Sequence, residues 1–403
     1  MKQILCPFLV LILVAQGCAS TSSSTNTSYR VGPGSVAPEL PADTQDVNLG
    51  FAGYTIIMPP FDPGIKNVDP DDYDDLGIWP ELRRTEALRL PYELKDYLEE
   101  GSSIAAARLV PNTNATGHFY LFGEINESNG EDVELSIDLV DISGKSQLEK
   151  TYKYRVGEYQ DPRATSRNRY TPLLREIALD VNNRIRRIKQ KEKDQINGIE
   201  AMRFAQSFQP EYFSQYVAER RGRTTLVGLP AEGDPEYERI KTIKTKDQLF
   251  IDSVQNDYRD FVAASNDPYF TWQDQAYVES KAKREAEAAA RAKLIGGVLL
   301  AAAGGAMLAN SNPYSSNVYT AAAVTAAGVA VAIDSAVDFK DAKSHQESLN
   351  ELGESINIAL APKVMEVEDT QVELTGTAEE QFAAWREYLK EIYLVESTPD
   401  VEL

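Results

Sequence analysis

The amino-acid sequence predicts an α+β protein: a small N-terminal α/β-sandwich domain, then a mostly α-helical region with a long antiparallel hairpin. Three observations predict it. Val133, Leu135, Ile137 and Leu139 alternate with Glu134, Ser136, Asp138 and Val140, the period of a strand with one buried face. From about Pro172 onward, apolar residues recur every three or four positions, as on helices packed along one stripe. Two uncharged runs, 294–309 and 318–333, flank the polar stretch 310–317 and are themselves flanked by charged segments.

The chain has 403 residues, with 62 acids against 41 bases, two histidines and two cysteines. That length holds two or three domains at roughly 150 residues each. The net charge of −21 argues against nonspecific binding to nucleic acid or to an anionic membrane surface. Two cysteines exclude a disulfide framework. Two histidines far apart leave little for metal or acid–base chemistry, so neither metal nor cofactor is expected.

Segment 1–17 has the order of a secretory signal peptide: Lys2, the apolar run 4–15, then small residues. The run is too short to span a bilayer comfortably. Val14-Ala15-Gln16-Gly17-Cys18 resembles a bacterial lipoprotein lipobox, with Ala15 where leucine is usual. The resemblance implies cleavage before Cys18 and acylation of its sulfur. The alternative is an ordinary signal peptide with an incidental cysteine. Cleavage removes Lys2 and Cys6, leaving a net charge of −22 (−21 less one lysine) and a single cysteine. Each buried methylene of an acyl chain contributes about 0.8 kcal/mol, so several chains anchor firmly. Ala19 follows the cysteine; aspartate there marks inner-membrane retention in enterobacterial lipoproteins, so the resemblance implies the outer membrane. Residues 18–48 are rich in Ser, Thr, Asn, Pro and Gly and read as a flexible tether.

The first folded unit spans 49–160. Residues 54–61 form a short apolar run ended by prolines, a buried strand. A helix follows over 81–100, with Ala87, Leu90, Leu94 and Leu98 on one face and a kink or restart expected at Pro91. Residues 105–110 and 119–125 are further strands. The alternating run 133–140, the turn 141–145 and the alternation of Tyr152, Tyr154 and Val156 make a hairpin. The order strand, helix, strand, strand, hairpin partner gives helices on one face of a sheet.

The stretches TIIMPPF, ATGHFYLFGEI and VELSIDLVDISGKSQLEKTYKY resemble a small periplasmic domain. It is shared by the N-terminal part of TolB, curli-secretion lipoproteins and the lipoprotein activators of peptidoglycan synthases. The resemblance covers about a quarter of the chain and implies binding or assembly, not catalysis. The insert 62–79 departs from that pattern. It carries Asp69, Asp71, Asp72, Asp74 and Asp75, but a calcium loop counted from Asp69 places Tyr73 at position 5, Asp74 at 6 and Pro80 at 12. The EF-hand requirements fail, and a solvated acidic loop is expected.

The helical region 171–272 opens with Leu173, Leu174, Ile177, Val181, Ile185 and Ile188 at helical spacing. The basic run 184–193 reads as a solvated face with cations near a helix C-terminus. Phe204, Phe208, Tyr212, Phe213 and Tyr216 form an aromatic stripe, read as core. Residues 228–234 are a loop. A helix over 246–264 has Leu249, Phe250, Val254, Tyr258 and Phe261 as its expected inner face.

Residues 273–360 are predicted to form a helical hairpin with an apolar tip. Glu279–Lys283, Lys283–Glu287 and Glu287–Arg291 are opposite charges four apart, supporting a solvated helical arm. Gly297, Ala301, Gly305 and Ala309 fall four apart, and so do Ala322, Ala326 and Ala330. Small residues at that spacing let helix backbones approach closely. Each sixteen-residue run rises about 24 Å, short of the ~30 Å hydrocarbon core but near what a thin outer membrane needs. Three readings follow, in this order: a membrane-inserted hairpin, self-association into a homo-oligomer, and a packed hairpin within one monomer. In the last segment, 361–403, residues 364–374 read as a strand, 375–377 as a turn and helix start, and Phe382, Trp385, Leu389 and Ile392 as one face of a docked helix.

The sequence contains no phosphate loop, no Gly-x-Ser-x-Gly elbow, no His-Glu-x-x-His and no CxxC. The expectation is a non-catalytic outer-membrane lipoprotein, anchored at Cys18. It would act as scaffold or accessory factor in envelope assembly, secretion or surface-structure biogenesis, with an envelope protein as partner and no nucleic acid. The alternatives are an activator of a peptidoglycan synthase and, in another class, a carboxylate-dependent cell-wall hydrolase.

Overall fold

The computed structural model describes residues 53–66, 68–73, 78–157, 167–309, 363–367 and 370–397. Its first elements are β1 (Tyr54–Met58), α1 (Pro80–Glu99), β2 (Ile104–Leu109), β3 (Phe119–Ser128), β4 (Asp132–Asp141) and β5 (Ser146–Arg155). They follow the predicted order and build an α+β fold on a five-stranded mixed sheet.

The sheet order is β2-β1-β3-β4-β5, with β1 parallel to both neighbours and β3-β4-β5 an antiparallel meander. The two parallel pairings explain the apolar run in β1: Ile56, Ile57 and Met58 are all fully buried. On β4, Val133, Leu135, Ile137 and Leu139 are buried, whereas Glu134, Ser136 and Asp138 are half-buried. Leu135 faces Tyr152 and Val133 faces Tyr154 across the predicted hairpin.

Helix α1 runs through Pro91 as one element, with Pro80 at its first turn. A proline leaves the carbonyl four residues earlier without its helical donor. That carbonyl belongs to Ala87, and the backbone N–H of Phe61, just past β1, donates to it at 2.8 Å.

The helical part comprises α2 (Thr171–Arg186), α3 (Gln190–Phe208), α4 (Pro210–Phe213), α5 (Pro235–Ala264), α6 (Asn266–Ala309) and α7 (Ala378–Ser397). All six apolar residues expected on the first of these are buried, the last of them, Ile188, just past its end. The aromatic stripe is core: Phe204, Phe208 and Phe213 are buried, and Tyr212 and Tyr216 pack against them.

The structure differs from expectation in three places here. Between α4 and α5 the chain forms a hairpin of β6 (Val217–Arg220) and β7 (Arg223–Leu226). Helix α5 begins earlier than expected, at Asp234, whose carboxylate accepts the N–H of Tyr237 at 3.0 Å. Leu249, expected on its inner face, is 60% exposed. The buried stripe instead runs through Ile243, Asp247, Phe250, Ile251, Val254 and Tyr258, whose three- and four-residue steps leave position 249 on the far side.

The segment expected as one late strand is a second hairpin, β8 (Lys363–Val367) and β9 (Thr370–Leu374). Thr377 and Glu380 then form a capping box that starts α7: each backbone N–H donates to the other's side chain, at 2.8 and 3.3 Å. Helix α7 buries Phe382, Trp385, Leu389 and Tyr393, and Trp385 stacks on Phe250 at 5.6 Å. Ile392 packs partly buried beside them. One contiguous apolar cluster joins the sheet, α2, α3, α5 and α7.

Candidate functional site

The residues singled out in the sequence fall in two groups. Cys18, Ala322, Ala326 and Ala330 lie outside the described residues. Gly297, Ala301, Gly305 and Ala309 lie on the last turns of α6, which runs unbroken over 44 residues from Asn266. Among the residues whose side chains are described, no helix is long and apolar enough to cross a membrane; the side chains of 294–309 are not among them.

The start of α6 is where the folded body holds this helix, and it does so with buried polar groups. Arg89 of α1 donates to Ser265 Oγ at 2.9 Å and to Asn266 Oδ1 at 2.6 Å, across the α5–α6 junction. It pairs with Glu93 at 2.8 Å. Its guanidinium lies 4.4 Å from the ring centre of Tyr269 and 4.6 Å from that of Phe270, a cation–π arrangement strengthened by the loss of water. One turn earlier, Glu86 Oε1 accepts from Ser128 Oγ at 2.7 Å and from the Tyr269 hydroxyl at 3.0 Å. Burial pushes the Glu86 carboxyl above its ordinary range, against the pull of Arg83 and the two hydroxyl donors. Burial therefore shifts the Glu86 equilibrium towards its protonated form.

Farther along α6 the sheet takes over. The turn between β3 and β4 is Asn129-Gly130-Glu131. Gly130 has a φ of +85°, and a Cβ there would stand 2.6 Å from the backbone nitrogen of Tyr277. Only glycine permits both the turn and the approach of the helix backbone. The Gly130 N–H donates to the Tyr170 hydroxyl at 2.8 Å. Ser280 donates to the Asn129 carbonyl at 2.7 Å, and Arg284 reaches the buried Glu131 at 2.8 Å. Asn168 ties the cluster together: it donates to Glu93 at 2.6 Å and accepts from Gln273 at 3.0 Å.

A second buried polar cluster fastens α7. Asp247 of α5 pairs with Arg386 at 3.0 Å, and Arg386 also donates to Ser207 Oγ at 2.8 Å. The Arg386 guanidinium lies 4.8 Å from the ring centre of Phe208. Nearby, Glu200 pairs with Lys244. Burial acts to raise the Glu200 carboxyl, but Lys244, joined by His118 where that ring is protonated, outweighs it and holds the group below its ordinary range. His118 Nδ1 accepts the Thr55 N–H at 3.0 Å, and desolvation pushes its imidazole down to about 4. That imidazole is neutral near pH 7 and serves as an acceptor for the β1 backbone.

Chemically, both clusters act as fasteners. Their charges sit between packed helices, where removing one partner of a buried pair costs about 3–5 kcal/mol. The acidic insert shows Asp69 capping a short turn by accepting the Asp71 N–H at 3.1 Å. Among the described residues no group of three His, Cys, Asp or Glu side chains is placed to hold a metal ion. Of the basic run, Arg184 docks on the sheet, donating to Gln147 Oε1 at 2.6 Å.

The anchoring residues Glu86, Arg89 and Glu93 escaped the sequence reading. Their signal was present: they fall four, seven and eleven positions after the buried Leu82, placing charges on the inner face of α1. Comparison with known proteins adds no relative, since no family model, curated protein or solved structure matches the chain.

Proposed function

We propose that this chain is an outer-membrane lipoprotein, acylated at Cys18, that acts as a scaffold or accessory factor in assembling the bacterial envelope. The single observation that carries the reading is the unbroken helix α6. Its first turns are fixed in the body by Arg89, Tyr269 and Gly130. Its last turns carry the small-residue series from Gly297 to Ala309. Such a helix transmits the position of a folded domain to a surface where backbones pack closely, in a membrane or in a second copy. Acyl chains fix one point of the molecule, residues 18–48 give reach, and the small-residue segment supplies the second contact. The resemblance of the sheet region to periplasmic adaptor domains supports an envelope protein as the partner of that body.

Fractionation of the full chain carrying Cys18→Ala tests this. The variant is expected to lose acyl anchoring yet still need detergent or migrate as an oligomer through its second contact. A soluble monomer would overturn the second contact. An unmodified Cys18 in the parent, read by mass spectrometry, would overturn the lipoprotein assignment.

A further inference from the structure

The β6–β7 hairpin carries Arg220-Arg221-Gly222-Arg223 at its tip. Arg220 and Arg223 are directly opposed across the two strands, an arrangement in which like charges repel. Arg221 sits between them at the turn with a φ of +53°, beside Gly222 at +73°. Two successive positive φ values define the tight turn that suits a twisted hairpin, but the first position normally takes asparagine, aspartate or glycine. Arg221 is the non-glycine residue with positive φ among those described. All three arginines are exposed, and none forms an ion pair among the described residues. Glu219 lies next along the strand, on the other face by strand alternation. In a chain with 62 acids, three cations converge here, and no ion pair to them is formed among the described residues.

The hairpin is not a loose appendage. Val217 and Leu226 are buried, and the Thr224 N–H donates to the Ser143 carbonyl in the β4–β5 turn at 3.0 Å. The Leu226 N–H donates to Gln195 Oε1 at 3.1 Å. The tip is thus pre-positioned on the end of the main sheet. Arg220, Arg221, Arg223 and Thr225 line one open, solvent-facing basin.

We infer that this basin binds a phosphate-bearing organic anion. Each guanidinium offers a planar fork that matches phosphate oxygens in pairs. Three forks supply more donors than one carboxylate can accept, whereas a phosphate presents oxygens in several directions. The bound anion offsets the Arg220–Arg223 repulsion across the hairpin. The overall negative charge does not prevent this, because fields are screened beyond about 8 Å at physiological salt. The inference stands on the hairpin alone and does not depend on the scaffolding role. A lipid headgroup and a soluble phosphoester share the required chemistry.

The full chain carrying Cys18→Ala, in nonionic micelles, is titrated with glycerol phosphate and, separately, with micelles doped with phosphatidylglycerol or phosphatidylcholine. Binding is read by calorimetry. The parent is expected to bind a phosphate probe, to weaken as salt rises, and to lose at least tenfold in affinity on Arg220→Gln/Arg221→Gln/Arg223→Gln. That triple variant melts at or above the parent temperature, since it removes repulsion from an exposed turn. Binding to glycerol phosphate identifies a soluble-phosphoester site. Binding only to phosphatidylglycerol micelles identifies a headgroup site. Parent and triple variant binding equally, or no binding to either phosphate probe, overturns the inference.

Discussion

The backbone N–H of Phe61 donates to the carbonyl of Ala87 at 2.8 Å, standing in for the amide that Pro91 lacks. A residue leaving the first strand thus completes the hydrogen bonding of the first helix. The proline that looks like a helix breaker in the sequence is, in three dimensions, the feature that opens a carbonyl to the sheet.

Replacing Pro91 should therefore give less than helix propensity suggests. Proline in a helix interior is about 3 kcal/mol worse than alanine. Here the orphaned carbonyl already has a donor, and Pro91 is buried. Pro91→Ala is expected to change stability by less than about 1 kcal/mol, measured by denaturant unfolding. A gain near the full propensity difference would show that the Phe61 contact contributes nothing.

Gly130 is the tightest point of the α6 seat. Gly130→Ala forces a side chain into left-handed backbone, costing about 1–2 kcal/mol, and into the helix backbone at Tyr277, where overpacking adds about 1–3 kcal/mol. A loss of about 2–4 kcal/mol is expected, together with faster amide hydrogen exchange in the turns of α6 around Tyr277. Unchanged exchange there would mean that α6 is held without this contact.

Glu86 should shape the dependence of stability on pH. Burial raises its carboxyl in the fold, so the folded chain keeps the proton to higher pH than the unfolded chain does. Its contribution is present below the ordinary carboxyl range and is lost as pH rises through the folded value. Glu86→Gln keeps a neutral side chain of similar shape at every pH. Its stability relative to the parent is expected to increase as pH is raised from about 4 towards neutrality. A difference independent of pH would show that Glu86 does not titrate with folding.

Much of this fold is legible from periodicity. The strict alternation over 133–140 and the three- and four-residue steps from Leu173 to Ile188 translate directly into buried faces. What escaped has physical reasons. The strands β6 and β7 are four residues each, too short for alternation to separate from chance. Segment 364–374 reads as one strand because the two residues between Val367 and Thr370 include no glycine or proline. Leu249 looks like core because it is apolar beside Phe250, yet Asp247 occupies the inner face through its pairing with Arg386. Buried charges invert the rule that apolar means inside, so the anchoring clusters are invisible to hydropathy. The arginine hairpin is invisible for another reason: its meaning lies in the cross-strand opposition of Arg220 and Arg223, which exists only once the turn is known.

The proportions of α6 carry a mechanical consequence. The clamp grips the helix as far as Arg284, and the 25 residues from there to Ala309 rise about 38 Å. A tilt of only about 5° at the clamp displaces the far end by about 3 Å, about a third of the spacing of two packed helices. The polar contacts made by Arg89, Tyr269, Ser280 and Arg284 therefore act as a fulcrum. Any change of angle at these contacts would be multiplied along the helix at its far end.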